Sequence, residues 1–154
     1  MLYFAYGSNM NWPQMQRRCP SARFVTIARL KDHRLGFPLK SKSRGCGAAG
    51  ALPELGETVW GVVYEIEERE IEPLDRAEDY VPGGEGNNYR REGSVVYPGT
   101  DGEQALAVSL YFPEVQADPP LPSAAYKRLI IDGAKFWGLP EDYLRGLEAI
   151  KVAP

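Results

Sequence analysis

The hydrophobic pattern of this chain changes period once, at the proline-rich stretch Asp118-Pro-Pro-Leu-Pro122, and that change limits the folds open to it. Before it, apolar positions fall in short runs or alternate. After it, they recur every three or four residues. The clearest alternating segment is Thr58 to Ile66, in which Trp60, Val62, Tyr64 and Ile66 share one face of a strand. Beyond the prolines, Tyr126, Leu129, Ile130, Ala134 and Trp137 take helical spacing. Gly138-Leu139-Pro140 ends that helix, and Tyr143, Leu147 and Ile150 mark a second one. Strands first and helices last, with no regular strand–helix–strand alternation, predict an α+β fold.

The remaining segments fit this order. Leu2 to Tyr6 reads as a buried strand stopped by the turn Gly7-Ser8-Asn9. Asn11 as N-cap and Pro13 in the first turn predict a short helix over Trp12 to Arg18. Residues 22–30 and 32–39 read as a strand pair broken at Lys31-Asp32. Residues 40–50 read as a Ser/Lys/Arg/Gly-rich loop, followed by a short apolar piece ending at Pro53. An acidic segment precedes a short helix from about Pro73 to Asp79, with proline in its first turn. Pro82 to Asn88 has turn chemistry throughout and reads as a mobile surface loop, with strands expected at 89–97 and 104–112.

A length of 154 residues predicts one domain over 1–154, since domains commonly run to about 100–150 residues. Hydrophobic residues at 44% and charged residues at 25% exclude global disorder. Eighteen basic residues against 21 acidic ones leave a net charge of −3, which argues against a phosphate-backbone footprint and predicts no nucleic-acid partner. The N-terminus lacks the pattern of a signal peptide, and no run approaches the ~20 apolar residues needed to cross a bilayer. Cys19 and Cys46 form no CxxC motif, which fits a reducing compartment. The expectation is a cytoplasmic protein without a membrane partner.

Metal and triad chemistry find little support, because His33 is the one histidine and no cluster surrounds the cysteines. Gly45-Cys-Gly47-Ala-Ala-Gly50 matches G-x-G-x-x-G, but it follows a basic loop instead of a strand; glycines in a loop or bulge are the simpler reading. Two features carry more. A strand that stops at Gly7-Ser8 leaves backbone N–H groups free to form an anion nest or oxyanion hole, although Ser8 or Asn9 capping an ordinary turn explains the same residues. Glu78 lies four residues after Leu74, on the helix face expected to pack on the sheet, whereas Asp75, Arg76 and Asp79 are expected to point outward. A carboxyl on an apolar face has the raised pKa of a general base, and the adjacent Asp79 is expected to push the same way; a solvated acidic helix end is the alternative.

Tyr3-Phe-Ala-Tyr-Gly-Ser-Asn-Met10, Val59-Trp-Gly-Val-Val-Tyr64 and Leu74-Asp-Arg-Ala-Glu78, in that order, closely resemble the γ-glutamylcyclotransferase family. The stretch from Tyr126 to Tyr143 also resembles its animal-type members. The resemblance implies a small mixed barrel-like β-sheet with flanking helices and two C-terminal helices. It implies an enzyme that converts a γ-glutamyl amino acid to 5-oxoproline and the free amine, without metal or cofactor, as a monomer or homodimer. On this resemblance the substrate-binding loop falls on Tyr3, Phe4, Ala5, Tyr6, Gly7, Ser8 and Asn9, the catalytic glutamate on Glu78, and further binding tyrosines on Tyr89 and Tyr126. Three departures stand out. Glu78-Asp79 replaces a frequent Glu-Gly, and the loop from Tyr80 to Asn88 is longer than in the animal enzyme. The expected active-site tyrosine aligns without gaps to Leu110, leaving Tyr111 one position off and facing the other side. Two alternatives stay open: a relative acting on a γ-glutamyl amine or an acylated precursor, and a non-catalytic binding module that keeps the pocket.

Overall fold

Two long strands, β2 (Arg23–Lys40) and β3 (Gly47–Glu65), form an antiparallel hairpin that frames the computed structural model, which describes residues 1–154. β1 (Leu2–Ala5) adds to β3, while β4 (Tyr89–Pro98) adds to β2 and pairs with β5 (Leu106–Pro113). β5 then meets β1 in parallel at Tyr3 and Ser109, closing a barrel in the order β1-β3-β2-β4-β5. Closure removes the free sheet edges that would otherwise invite pairing with another chain. Helices α1 (Trp12–Arg18), α2 (Ile71–Ala77), α3 (Ala124–Phe136) and α4 (Glu141–Glu148) complete the α+β architecture. No helix is long and apolar enough to cross a membrane.

β2 corrects the expected strand pair. Residues 23–40 form one continuous strand, because Asp32 takes a left-handed conformation (φ 58°) that makes a bulge against β3 instead of a turn. Both halves of β2 pair with β3 rather than with each other. The basic loop is consequently shorter than read, residues 41–46, and its Ser41 to Arg44 line the same cleft as Ser8. Gly47 and Gly50 belong to β3, and a Cβ on Gly47 would stand 2.2 Å from the Pro120 carbonyl, so close backbone approach explains glycine there.

Phe4, Leu30, Leu39, Val59, Val62, Val63 and Leu110 are fully buried in the core, and Leu74 of α2 joins them. Trp60 is only half-buried, and the buried Val59 and Val63 show that both faces of β3 are covered. α3 starts at Ser123, whose Oγ accepts from the Tyr126 N–H at 3.1 Å, and lays Tyr126, Ile130, Ile131 and Ala134 inward. Its Gly133 sits against the short 3₁₀ turn Ser8–Met10: a Cβ there would lie 2.3 Å from the Met10 carbonyl carbon. Tyr64 and Trp137 hold the same turn by donating to the carbonyls of Asn9 (2.8 Å) and Met10 (3.0 Å). The segment leaving β1 is therefore fixed from two sides. Cys19 and Cys46 are both buried and free, and the His33 Nδ1–H donates to the Lys31 carbonyl at 2.8 Å.

Candidate active site

A cleft of about 180 Å³ opens between the 41–46 loop, the C-terminal end of α2 and the start of β4. Beneath it lies a narrow niche of about 30 Å³, which shares Ser8, Glu78, Tyr89 and Tyr126 with the cleft. Tyr3, Phe4, Tyr6, Gly7 and Asn9 complete the niche together with Ala49 and Tyr111. Of the residues expected from the sequence, only Ala5 stays out of it, packed in the core.

The expected Gly-Ser turn is a 3₁₀ turn capped by Gly7 without any side-chain cap. Neither the Gly7 nor the Ser8 N–H donates to any turn or side-chain acceptor, and both residues line the niche. Asn9 does not cap. Its Nδ2 donates to Glu78 Oε1 at 2.8 Å and to the Tyr3 hydroxyl at 2.9 Å. Its Oδ1 accepts from Gln14 Nε2 (3.0 Å) and Arg18 Nη1 (2.9 Å), and Gln14 Nε2 also donates to Ser8 Oγ at 2.8 Å. A buried amide pinned on both ends has one orientation.

Glu78 is the C-cap of α2, one residue beyond its expected place inside the helix; its N–H donates to the Leu74 carbonyl at 3.0 Å. The side chain retains 17% exposure and accepts from Arg18 Nη1 at 3.3 Å. Burial pushes its carboxyl above the ordinary value of 4.5, opposed by the Arg18 cation, the Asn9 hydrogen bond and the Arg44 cation. Both hydrogen bonds go to Oε1, and Oε2 carries none. Asp79 is not the expected partner in this shift. It takes a left-handed conformation (φ 50°), as a frequent glycine at this position would, and its carboxylate accepts from Lys42 Nζ at 2.7 Å and the Asn88 N–H at 3.0 Å. Asp79 thus anchors the 80–88 loop, whose Gly86 carbonyl also accepts from Lys42.

The tyrosines surround the niche as neutral phenols. Burial pushes the hydroxyls of Tyr3, Tyr6, Tyr89 and Tyr111 upward, and that of Tyr126 to about 12. Tyr89 donates to the Ala49 carbonyl at 2.6 Å, and the Ala49 N–H donates to the Tyr126 hydroxyl at 3.0 Å, so β3 fixes both. Tyr111, not Leu110, lines the niche, while Leu110 is fully buried in the core. Tyr111 stands opposite Arg91 in β4, and its ring meets that of Tyr3 edge to face with centroids 5.7 Å apart.

Asp75 corrects the outward face assigned to α2. It is 4% exposed, accepts from Arg91 at 2.9 and 3.3 Å, and accepts from the Tyr111 hydroxyl at 2.5 Å. Sequence reasoning also passed over Gln14, Arg18 and Arg44. The spacing of Gln14 and Arg18 on α1, four apart and so on one face, was a signal that could have paired them. Arg44 lies 5.1 Å over the Tyr126 ring and donates to Gln14 Oε1 at 2.8 Å.

Fold and site together define a closed-barrel protein built around one recessed carboxylate beside a turn with free backbone amides. The family described as gamma-glutamyl cyclotransferase, AIG2-like, matches residues 3–128. The gamma-glutamylcyclotransferases of Bos taurus and Homo sapiens are each 33% identical to this chain, over 97% of it and 78% of their own lengths. A solved gamma-glutamyl cyclotransferase superposes with a TM-score of 0.89 at 32% identity, covering 99% of this chain and 89% of that one. The chain belongs to the gamma-glutamyl cyclotransferase, AIG2-like family and is an enzyme of the cyclotransferase class.

Proposed function

We propose that this chain, acting as one domain, converts a γ-glutamyl amino acid to 5-oxoproline and the free amino acid by intramolecular cyclisation. The observation that carries the reading is the convergence of Glu78 with the free N–H groups of Gly7 and Ser8 on one tyrosine-lined niche. The substrate's own α-nitrogen is the nucleophile, so the protein needs none. The glutamyl part enters the niche, and the departing amine stays in the wider cleft.

The α-ammonium group first yields one proton to solvent water, and the neutral α-nitrogen attacks the γ-carbonyl carbon. Its electron pair forms the ring C–N bond, and the carbonyl oxygen takes the displaced pair. The amides of Gly7 and Ser8 hold that oxyanion, a role typically worth about 3 kcal/mol per donor. Glu78 removes the surplus proton from the attacking nitrogen and delivers it to the departing nitrogen as the old C–N bond breaks. One carboxyl thus acts as base and then acid. Its raised pKa suits both halves of the task near neutrality. Holding amine and carbonyl together supplies further acceleration.

Arg44 supports a carboxylate on the departing amine, because it stands at the cleft with only one of its donors committed to Gln14. A non-catalytic module would rest on Leu110 standing at the tyrosine position; with Tyr111 on the niche, no observation favours it. Incubation with a panel of γ-glutamyl dipeptides, γ-glutamyl alkylamines and larger γ-glutamyl-acylated precursors, followed by assay of 5-oxoproline, tests the reading. We expect release from the dipeptides in preference to the alkylamines. Release from the alkylamines alone would contradict the assigned substrate, and ligand binding without product from any member would contradict turnover.

A further inference from the structure

Of the charged groups around the niche, Asp75 is the most deeply buried, and the chemistry proposed above does not use it. Its carboxylate faces Arg91 from β4 and the Tyr111 hydroxyl from β5, and its backbone carbonyl accepts from Tyr80 at 2.9 Å. Arg91 supplies the counter-charge through both carboxylate oxygens. The Tyr111 proton is committed to Asp75 Oδ1 at 2.5 Å, a short, charge-assisted bond. A phenol has one proton to give and two lone pairs to offer. With the proton engaged, the Tyr111 oxygen is an acceptor only, on a residue that lines the niche.

We propose that Asp75 is a positioning residue that holds the Tyr111 hydroxyl proton, leaving the phenol oxygen to accept a hydrogen bond from the α-ammonium group of a γ-glutamyl substrate. The inference rests on the cyclotransferase reading for the identity of that donor. It assigns different duties to two carboxylates, one on the niche and one behind it. Glu78, tied through Oε1 to Asn9 and Arg18, exchanges the proton. Asp75, neutralised by Arg91, orients the phenol that receives the amine. A plain ion pair joining α2 to the barrel would bind Asp75 to Arg91 equally well, but it would not need the Tyr111 hydroxyl.

The test is a double-mutant cycle on the full chain with Asp75→Asn, Tyr111→Phe and the double variant, measuring kcat and KM for a γ-glutamyl dipeptide. Each single variant is expected to lose about 10- to 100-fold in kcat/KM with a raised KM, the scale of one hydrogen bond to a charged group. The double variant is expected to be no worse than Tyr111→Phe alone. Losses that multiply would assign Asp75 a merely structural role and overturn the proposal. Tyr111→Phe leaves the Asp75–Arg91 pair intact, so a wild-type KM in that variant overturns it even where Asp75→Asn fails to fold. A proton NMR measurement separates this inference from the function beneath it. The short bond predicts a low-field, slowly exchanging hydroxyl resonance, absent from both single variants. Its absence from the wild-type protein would overturn the proposal, whereas its presence in a protein that releases no 5-oxoproline would overturn the substrate reading and, with it, the assigned donor.

Discussion

Glu78 owes its proton affinity to opposed influences, burial on one side and the Arg18 and Arg44 cations with the Asn9 amide on the other. Removing one side has a predictable sign. Arg18→Gln takes away the nearer cation, so the Glu78 pKa rises further and the acidic limb of kcat/KM moves to higher pH. A pH–rate profile checks this, and a limb moved the other way would contradict it. Glu78→Gln bears on stability. A carboxyl whose pKa is raised by folding contributes stability that is complete below its unfolded value, near 4.5, and lost as pH rises through the folded value. The Gln variant carries no such loss, while its amide oxygen still accepts from Asn9 and Arg18. Its unfolding midpoint should therefore match the wild type in acid and equal or exceed it at neutral pH, as thermal denaturation across pH will read. At this scale the sequence pointed to two residues that line the niche, Glu78 through pattern and resemblance and Tyr89 through the resemblance alone. Asp75 was not: a helical wheel assigns faces, but only the arrival of β4 and β5 decides which face they cover.

The 3₁₀ turn Ser8–Met10 is the element on which the site depends, since it carries Asn9 and the free amides. α3 presses on it through Gly133, where an added Cβ would meet the Met10 carbonyl at 2.5 Å and the Asn11 nitrogen at 2.6 Å. Those are backbone atoms, so the helix or the turn has to shift. Gly133→Ala gains up to about 1 kcal/mol of helix propensity, but overpacking of this kind typically costs about 1–3 kcal/mol. We expect a net loss of stability by denaturant titration together with lower activity, as Asn9 moves from Glu78. Higher stability with unchanged activity would contradict the packing argument. The strands show why element boundaries resisted the sequence. Lys31-Asp32 has turn chemistry, yet the left-handed Asp32 serves a bulge inside one strand, and only the long partner β3 reveals that. The helices fared better, because Asn11 and Ser123 cap locally: each side-chain oxygen accepts from an N–H three residues on.

At the scale of the whole molecule, a net charge of −3 coexists with a cation-rich cleft. Arg18, Lys42, Arg44 and Arg76 line the cleft, against Glu78 and Asp79. Average charge argued against a nucleic-acid footprint but could not reveal this local concentration of cations. Barrel closure was likewise out of reach of periodicity, because it turns on the parallel contact of β1 with β5, which are more than a hundred residues apart. The resemblance supplied that expectation, and the closed five-strand barrel bears it out. Both levels meet in Glu78, where the barrel, the turn and α2 converge. The most direct test is the rate of 5-oxoproline formation from a γ-glutamyl dipeptide by the wild-type and Glu78→Gln proteins, with substrate affinity measured alongside. The account predicts product from the wild type and a ~10²–10⁴-fold lower kcat in the variant, with affinity retained. A Glu78→Gln enzyme that turns over at the wild-type rate would contradict it.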